Sequence, residues 1–472
     1  MYQTHSLNEK IKLFFTIFFP ILVTQVSFYL ISFFDTVMSG RAGAVDLAGV
    51  GVGSSLWMPV YTGLSGILLA VASSLWMPVY TGLSGILLAV APIVSQALGA
   101  RDRQQIQRTL FQGIYLAIML SVITLTLGSF LVPLAIEGMG LSTEGKRIAT
   151  QYLLALGFGV LPMFLFNVLR TLMDALGKTR VSMILILLGL PINVGLNYIF
   201  IFGKLGIPAY GGVGAGIASS ITYWLLFFMA FFFVRNGKPF REYQFLRTTE
   251  RIVWLRQKEL LQLGTPIGLA IFAEVSIFAA VTLLLSSYGD QIVAAHQAAI
   301  NFASFVYMLP LSASSALTIV VGYELGAKRL QDAVRYAKIG ISLCLGVSIF
   351  SGAFLFWQNE RVAAIYTNDP TVVDLAAHFM IFAVFFQLSD AVAAPIQGIL
   401  RGFKDVNITL VLSLVAYWVI GLPLGYVLAE HAGFGPDGYW IGLIAGLAAG
   451  AVLLFLRLVW IVRRFGTLQS TS

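Results

Sequence analysis

The chain has 472 residues, 58% of them hydrophobic and only 11% charged, with 29 basic against 21 acidic residues. Its mean hydropathy is +0.88, which excludes a water-soluble globular domain and predicts an all-α polytopic membrane protein. The +8 balance does not point to nucleic acid, because the basic residues fall almost entirely between the apolar runs, where they orient a chain in a membrane.

The first run starts after a short polar lead with no small-residue cleavage site, so it reads as a retained helix and not a signal peptide. It contains Pro20, which could permit a bend or simply be tolerated near a helix start. Asp35 is its only charge between Lys12 and Arg41. A charge at bilayer depth costs about 2.5–3.5 kcal/mol on insertion scales, so a partner, a cation, a proton or water must compensate it. Eleven further spans come after it, at 55–98, 109–133, 149–169, 181–203, 213–234, 262–286, 292–324, 339–357, 375–398, 407–429 and 439–462. The second is overlong because SSLWMPVYTGLSGILLAVA at 54–72 recurs unchanged at 73–91. An extra 19-residue helix adds about 28 Å and rotates the downstream chain by about 100°. A true extra crossing would invert everything downstream.

The fifth span places Asn193 and Asn197 on one helix face, at i and i+4. The stretch 236–259 is the longest polar segment and separates 1–235 from 260–472, six spans each. In the seventh span Glu274 is the only charge between Glu259 and Asp290. His296 and Gln297 lie in the eighth, and a satisfied structural histidine is the better reading of His296. In the tenth, Asp390 is the only acid between Asp374 and Arg401, and His378 falls near a membrane edge, where solvent reaches it. Cys344, the single cysteine, lies in an apolar run and excludes an intrachain disulfide. The span cores contain no Arg or Lys except Arg457, near the end of the last span.

Alternate stretches, starting with the N-terminus, hold 23 basic residues against five on the other side. Both termini are therefore expected in the cytoplasm and the number of crossings is even. The halves also resemble each other. Val94–Arg101 (VSQALGAR) after the second span matches Val321–Lys328 (VGYELGAK) after the eighth, at an offset of 227, whereas Pro20-Ile21 matches Pro266-Ile267 at 246. The two offsets differ by 19, the length of the duplicated segment, so one copy is surplus. Parallel repeats of this kind place a transport site near the midplane, where the halves meet.

Two motifs mislead. Gly177-Lys178-Thr179 mimics the end of a phosphate-binding loop, but Leu172 stands where its first glycine belongs. Ser287-Tyr288-Gly289-Asp290 imitates an intramembrane aspartyl protease signature with serine in place of the first glycine, which leaves that enzyme a remote alternative.

Several segments, however, resemble the multidrug and toxic compound extrusion (MATE) transporters of the bacterial NorM-like branch. They are FFPILVTQVSFYLISFFDTVMSG (18–40), PINVGLNYIFIFG (191–203), GTPIGLAIFAEVSIFA (264–279), AAHQAAINFASFVYMLPLS (294–312) and LSDAVAAPIQGILRGFKD (388–405). The resemblance implies twelve transmembrane helices in two pseudo-symmetric six-helix lobes, in a bacterial inner membrane. It also implies export of cationic or amphipathic small molecules against sodium or proton entry, with no enzyme activity and no cofactor, by a protein working as a monomer. Asp35 matches the family's first-helix acid, Asn193 and Asn197 its fifth-span polar pair, and Glu274 and Asp390 its second-half acids, with sodium at those two as one implication. Gln297 is a supporting polar residue and Pro20 a helix bend. Phe386 stands one turn before Asp390, where sodium-coupled relatives have a tyrosine. A lipid-linked precursor flippase of the same superfamily is the alternative within transport, and a passive channel is another.

Overall fold

The computed structural model describes residues 1, 3–42, 82–138, 143–243, 245, 250–366 and 369–470. The first copy of the tandem repeat and residues 73–81 of the second lie outside the described residues. Among the described residues the secondary structure is helical, without strands. Eleven helices are long and apolar enough to cross a membrane, or twelve if a pair bent by 44° counts as one span.

In chain order the helices are α1 (Leu7–Ala42), α2 (Gly82–Gly99), α3 (Arg103–Gly138), α4 (Thr143–Gly157), α5 (Val160–Ala175), α6 (Thr179–Phe202) and α7 (Gly212–Asn236). Next come α8 (Trp254–Leu285), α9 (Asp290–Gly326), α10 (Leu330–Ala363), α11 (Pro370–Gly402), α12 (Val406–Glu430) and α13 (Pro436–Ser470). The bent pair is α4 with α5, broken after Gly157.

Local chemistry sets several boundaries. Ser6 and Glu9 form a capping box before α1: Ser6 Oγ accepts from the Glu9 N–H at 3.2 Å, and the Glu9 carboxylate accepts from the Ser6 N–H. Asp369 caps α11 by accepting from the Thr371 N–H at 2.9 Å, with Pro370 at the first helical position. Gly203 ends α6 at φ 67°, a left-handed conformation that an L side chain strains to adopt. The half-repeat extends to the backbone, since Arg101 and Lys328 take φ of 59° and 58° at matching helix ends.

Contacts divide the chain into two compact units: Met1–Leu22, Ser95–Arg101 and Leu269–Ser472 in one, Val23–Val94 and Asp102–Gly268 in the other. In the first, Phe14, Leu317, Tyr336, Ile396 and Leu454 belong to one buried cluster, and Ile277, Phe379, Met380 and Trp440 to a second. Lipid is as apolar as these side chains, so close backbone approach matters more than water exclusion. A Cβ on Gly398 of α11 would sit 2.1 Å from the Ser314 carbonyl oxygen of α9. In the second unit the polar stretch after α7 docks on α3. Gln112 Nε2 donates to the Arg251 carbonyl at 2.9 Å and Tyr115 to the Glu250 carbonyl at 2.7 Å.

Two sequence expectations change. Arg170 and Arg401, assigned to loops by their charge, lie inside helices, Arg170 five residues before the end of α5 and Arg401 in the last turn of α11. The Arg170 guanidinium stacks over the Phe28 ring, its carbon 5.4 Å from the ring centre, so the aromatic face offsets part of the cost of a cation inside a helix. His296 is satisfied at one nitrogen only: Nε2 meets Thr282 Oγ1 at 3.1 Å, while Nδ1 has no hydrogen-bond partner. His378 is half exposed, as expected, and also contacts Asp437 at 3.0 Å. Arg457 pairs with Asp405 through bonds of 2.6 and 2.9 Å.

Candidate functional site

Asp35 is buried on α1. Its Oδ1 accepts from Asn197 Nδ2 at 2.6 Å and its Oδ2 from Ser219 Oγ at 2.6 Å. Because Asn193 and Asn197 are four residues apart on α6, both reach the same side: Asn197 Nδ2 also donates to Asn193 Oδ1 at 3.1 Å, and Asn193 Nδ2 to Ser219 Oγ at 3.3 Å. Both asparagines are fully buried. Asn197 Oδ1 has no hydrogen-bond partner. The rings of Tyr152 and Tyr223 lie within electrostatic range of the carboxylate. The Asp35 carboxylate, the Asn193 amide oxygen and the Ser219 hydroxyl thus share one hydrogen-bonded group with the Asn197 amide, and hard oxygens of this kind suit a hard cation or a proton.

The second group lies on α8, α9, α11 and α12. Glu274 Oε1 accepts from the Tyr307 hydroxyl at 3.1 Å. Asp390 is buried and lies within electrostatic range of Glu274. Arg401, one helix turn past Gln397, is within range of Glu274 and Tyr307, and its Nη2 reaches Gln397 Oε1 at 3.5 Å. Glu274, Phe278 and Tyr417 line a small void. Phe386 packs edge-on against Phe278 with centroids 5.6 Å apart.

The structure therefore brings Asp35, Asn193 and Asn197 into one cluster and places Glu274 and Asp390 in another. Gln297 joins neither by a direct bond: its amide donates to Thr282, eight residues beyond Glu274, at 3.5 Å. Pro20 sits inside the continuous helix α1. Sequence reasoning missed Ser219, Tyr307, Gln397, Arg401 and Tyr417. Ser219 sits in GVGAGIASS, a run that reads as helix-packing residues. Asp290, the decoy protease acid, only opens α9.

Helices of this length and apolarity, carrying isolated buried carboxylates, define an integral membrane protein of many spans. The chain matches the MatE family over residues 20–73, 68–199 and 266–427, and it belongs to that family. The first two matched segments overlap at 68–73, inside the tandem repeat. It is 50% identical over 464 residues to the "Probable multidrug resistance protein NorM" of Oceanobacillus iheyensis, covering 98% of this chain and all of that protein. To the protein of the same name in Bacillus subtilis it is 51% identical over 469 residues, covering 99% and 100%. Its fold matches the eukaryotic MATE transporter AtDTX14 with a TM-score of 0.82 at 20% identity, covering 97% of this chain and 98% of that one. An outward-facing multidrug resistance MATE family transporter of the MOP superfamily matches with the same TM-score at 18% identity, covering 97% of each chain.

Proposed function

We propose that this protein is a secondary active exporter in a bacterial inner membrane, extruding cationic or amphipathic small molecules in exchange for sodium or protons. The observation that carries this is the oxygen cluster around Asp35, with Asn197 Oδ1 left as an unused acceptor beside a buried carboxylate. A buried carboxylate is stable when neutralised, and a proton, a sodium ion or a drug cation can each do that. Mutual exclusion among these ligands gives antiport, provided the acid is exposed alternately to the two sides. The multidrug names of relatives at about half identity over nearly the whole chain support the substrate class.

In this assignment Glu274 and Asp390 form the second ion-binding group, with Tyr307 as a neutral donor. Residues 1–235 and 260–472 act as two six-span lobes joined by a cytoplasmic segment at 236–259. Both termini are cytoplasmic, on the strength of the 23 to five distribution of basic residues. Pro20 supplies a bend in α1, and Gln297 lends polarity to α9. A flippase for anionic lipid precursors requires a net cationic site, whereas Arg401 is within range of Glu274, which offsets its charge. The protein needs no cofactor and works as a monomer.

The test is uptake of a cationic dye into proteoliposomes under an imposed gradient of sodium or of protons, one at a time. Uptake that follows one gradient and collapses with it supports antiport and names the ion. Dye movement down its own gradient, indifferent to both ions, refutes the assignment in favour of a channel.

A further inference from the structure

Helices α6 and α12 occupy matching places in the two halves, and their ends can be aligned by hydrogen bonds. At the entry, Lys178 N donates to the Met173 carbonyl and Asp405 N to the Leu400 carbonyl, both at 2.9 Å, across left-handed Gly177 and Lys404. Lys404 follows Gly177 by 227 positions, the offset of the sequence repeat. At the exit, Lys204 N donates to the Ile199 carbonyl at 3.1 Å and Ala432 N to the Val427 carbonyl at 3.0 Å, each reaching five residues back. Val427 follows Ile199 by 228. Between equivalent ends α12 therefore carries one residue more than α6.

A helix absorbs a single extra residue by widening one turn to i→i+5 bonding. The structure shows this: α12 is π-helical over Val415–Gly421, whereas α6 is α-helical throughout. The widened turn carries Tyr417 and Trp418 to α8. Trp418 Nε1 donates to the Ala273 carbonyl at 3.0 Å, beside Glu274. Tyr417 is buried, shares the small void with Glu274 and Phe278, and is hydrogen-bonded to Gln397. Below the turn the helix cannot rotate freely, since a Cβ on Gly442 of α13 would lie 2.4 Å from the Gly425 Cα. A strictly α-helical α12 would swing Tyr417 about 100° off this aim. The aligned positions in α6 hold Gly189 or Leu190, which have neither ring nor hydroxyl.

We propose that Tyr417 is a cation-binding residue of the Glu274–Asp390 group, delivered to it by the one-residue insertion in α12. Its ring face attracts a desolvated monovalent cation, and the hydroxyl oxygen has a second lone pair beyond the one engaged with Gln397. Trp418 is a positioning residue that holds the widened turn against α8. The assignment rests on Glu274 and Asp390 binding the coupling ion.

The test uses the full chain in proteoliposomes, with cationic dye uptake measured against the concentration of sodium and, separately, of protons. Tyr417→Phe removes only the hydroxyl and is expected to raise the half-saturating ion concentration about three- to tenfold, with the maximal rate kept within about twofold. Tyr417→Leu removes the ring as well and shifts it further, while Trp418→Phe gives a smaller shift in the same direction. Where Tyr417→Leu lowers the yield of folded protein, Tyr417→Met carries the same expectation. Glu274→Gln is the reference. If it shifts the ion dependence and Tyr417→Phe and Tyr417→Leu do not, Tyr417 is a packing residue and the proposal is overturned. If Glu274→Gln shifts nothing, the ion site itself is misassigned and the role of Tyr417 falls with it.

Discussion

Replacing Asp35 with asparagine separates folding from function. The carboxylate accepts two bonds of 2.6 Å, one from Asn197 and one from Ser219. In Asp35→Asn, Oδ1 still accepts from Asn197, and the new Nδ2 faces Ser219 Oγ, a hydroxyl that can turn to accept. The two charge-assisted bonds become ordinary ones, a loss of about 1–2 kcal/mol, partly offset because no charge is buried. Expression and membrane insertion should survive, and the thermal midpoint in detergent should move by only a few degrees.

The effect on a bound cation is far larger. At about 3 Å and an effective dielectric near 20, a carboxylate attracts a monovalent cation by about 5 kcal/mol, which is roughly three to four decades in affinity. Gradient-driven dye efflux from cells or proteoliposomes should therefore disappear while the protein remains folded. Transport within about twofold of wild type, in protein shown to be inserted, would mean that the Asp35 cluster only pins α1 to α6 and α7.

Ser219→Ala removes one of the two bonds to Asp35 and the hydroxyl oxygen that accepts from Asn193. It is expected to raise the half-saturating ion concentration about tenfold with little loss of maximal rate, and an unchanged ion dependence would take Ser219 out of the site. Glu274→Gln and Asp390→Asn should each weaken the dependence of transport on sodium or protons, and if both keep wild-type dependence the two acids are structural pins. Deleting residues 73–91 should preserve or improve folding and export, because residues 54–72 reproduce every deleted side chain. Gly63 and Ile67 then stand where Gly82 and Ile86 meet Gly268 and Gly264 of α8. In a cysteine-free background, an impermeant reagent should label a cysteine at Gly43 from outside and not one at Arg103, in both full-length and deleted chains. Loss of activity on deletion, or outside labelling at 103, would show that the repeat is built into the working fold.

How much could be seen in the sequence depends on how a residue's role is encoded. Asp35, Glu274 and Asp390 stand out because a lone acid in an apolar run is costly anywhere else, and Asn193 with Asn197 because i and i+4 share a face. The helices themselves were equally legible, as runs of apolar residues bounded by basic stretches. Ser219 was not, since a serine among glycines and alanines serves helix packing just as well. Tyr417 could not be found either: its direction depends on a one-residue change of register, and hydrophobic periodicity is blind to that inside a helix apolar on all sides. Arg170 and Arg401 were misplaced because charge was read as loop, although Arg170 is covered by the Phe28 ring.

The same register comparison explains why the two acid groups are not copies of each other. With an offset of 228 at the exit of the helix, Asn193 and Asn197 of α6 correspond to Gly421 and Gly425 of α12. Where the first half uses two amides to hold Asp35, the second has glycines against which α13 packs, with a Cβ on Gly442 only 2.5 Å from Gly425 N. Gly421 and Gly425 offer no side-chain donor to a carboxylate, and the backbone of α13 lies against them. Asp35 itself corresponds, at the first-span offset of 246, to Val281, while Glu274 corresponds to Phe28. The second half thus places its acid two turns away along α8, where the widened turn of α12 brings Tyr417 to meet it. The duplicated backbone accounts for how the helices pack. The substitutions within it separate one acid group from the other, so each must be tested by its own variants and neither can stand in for the other.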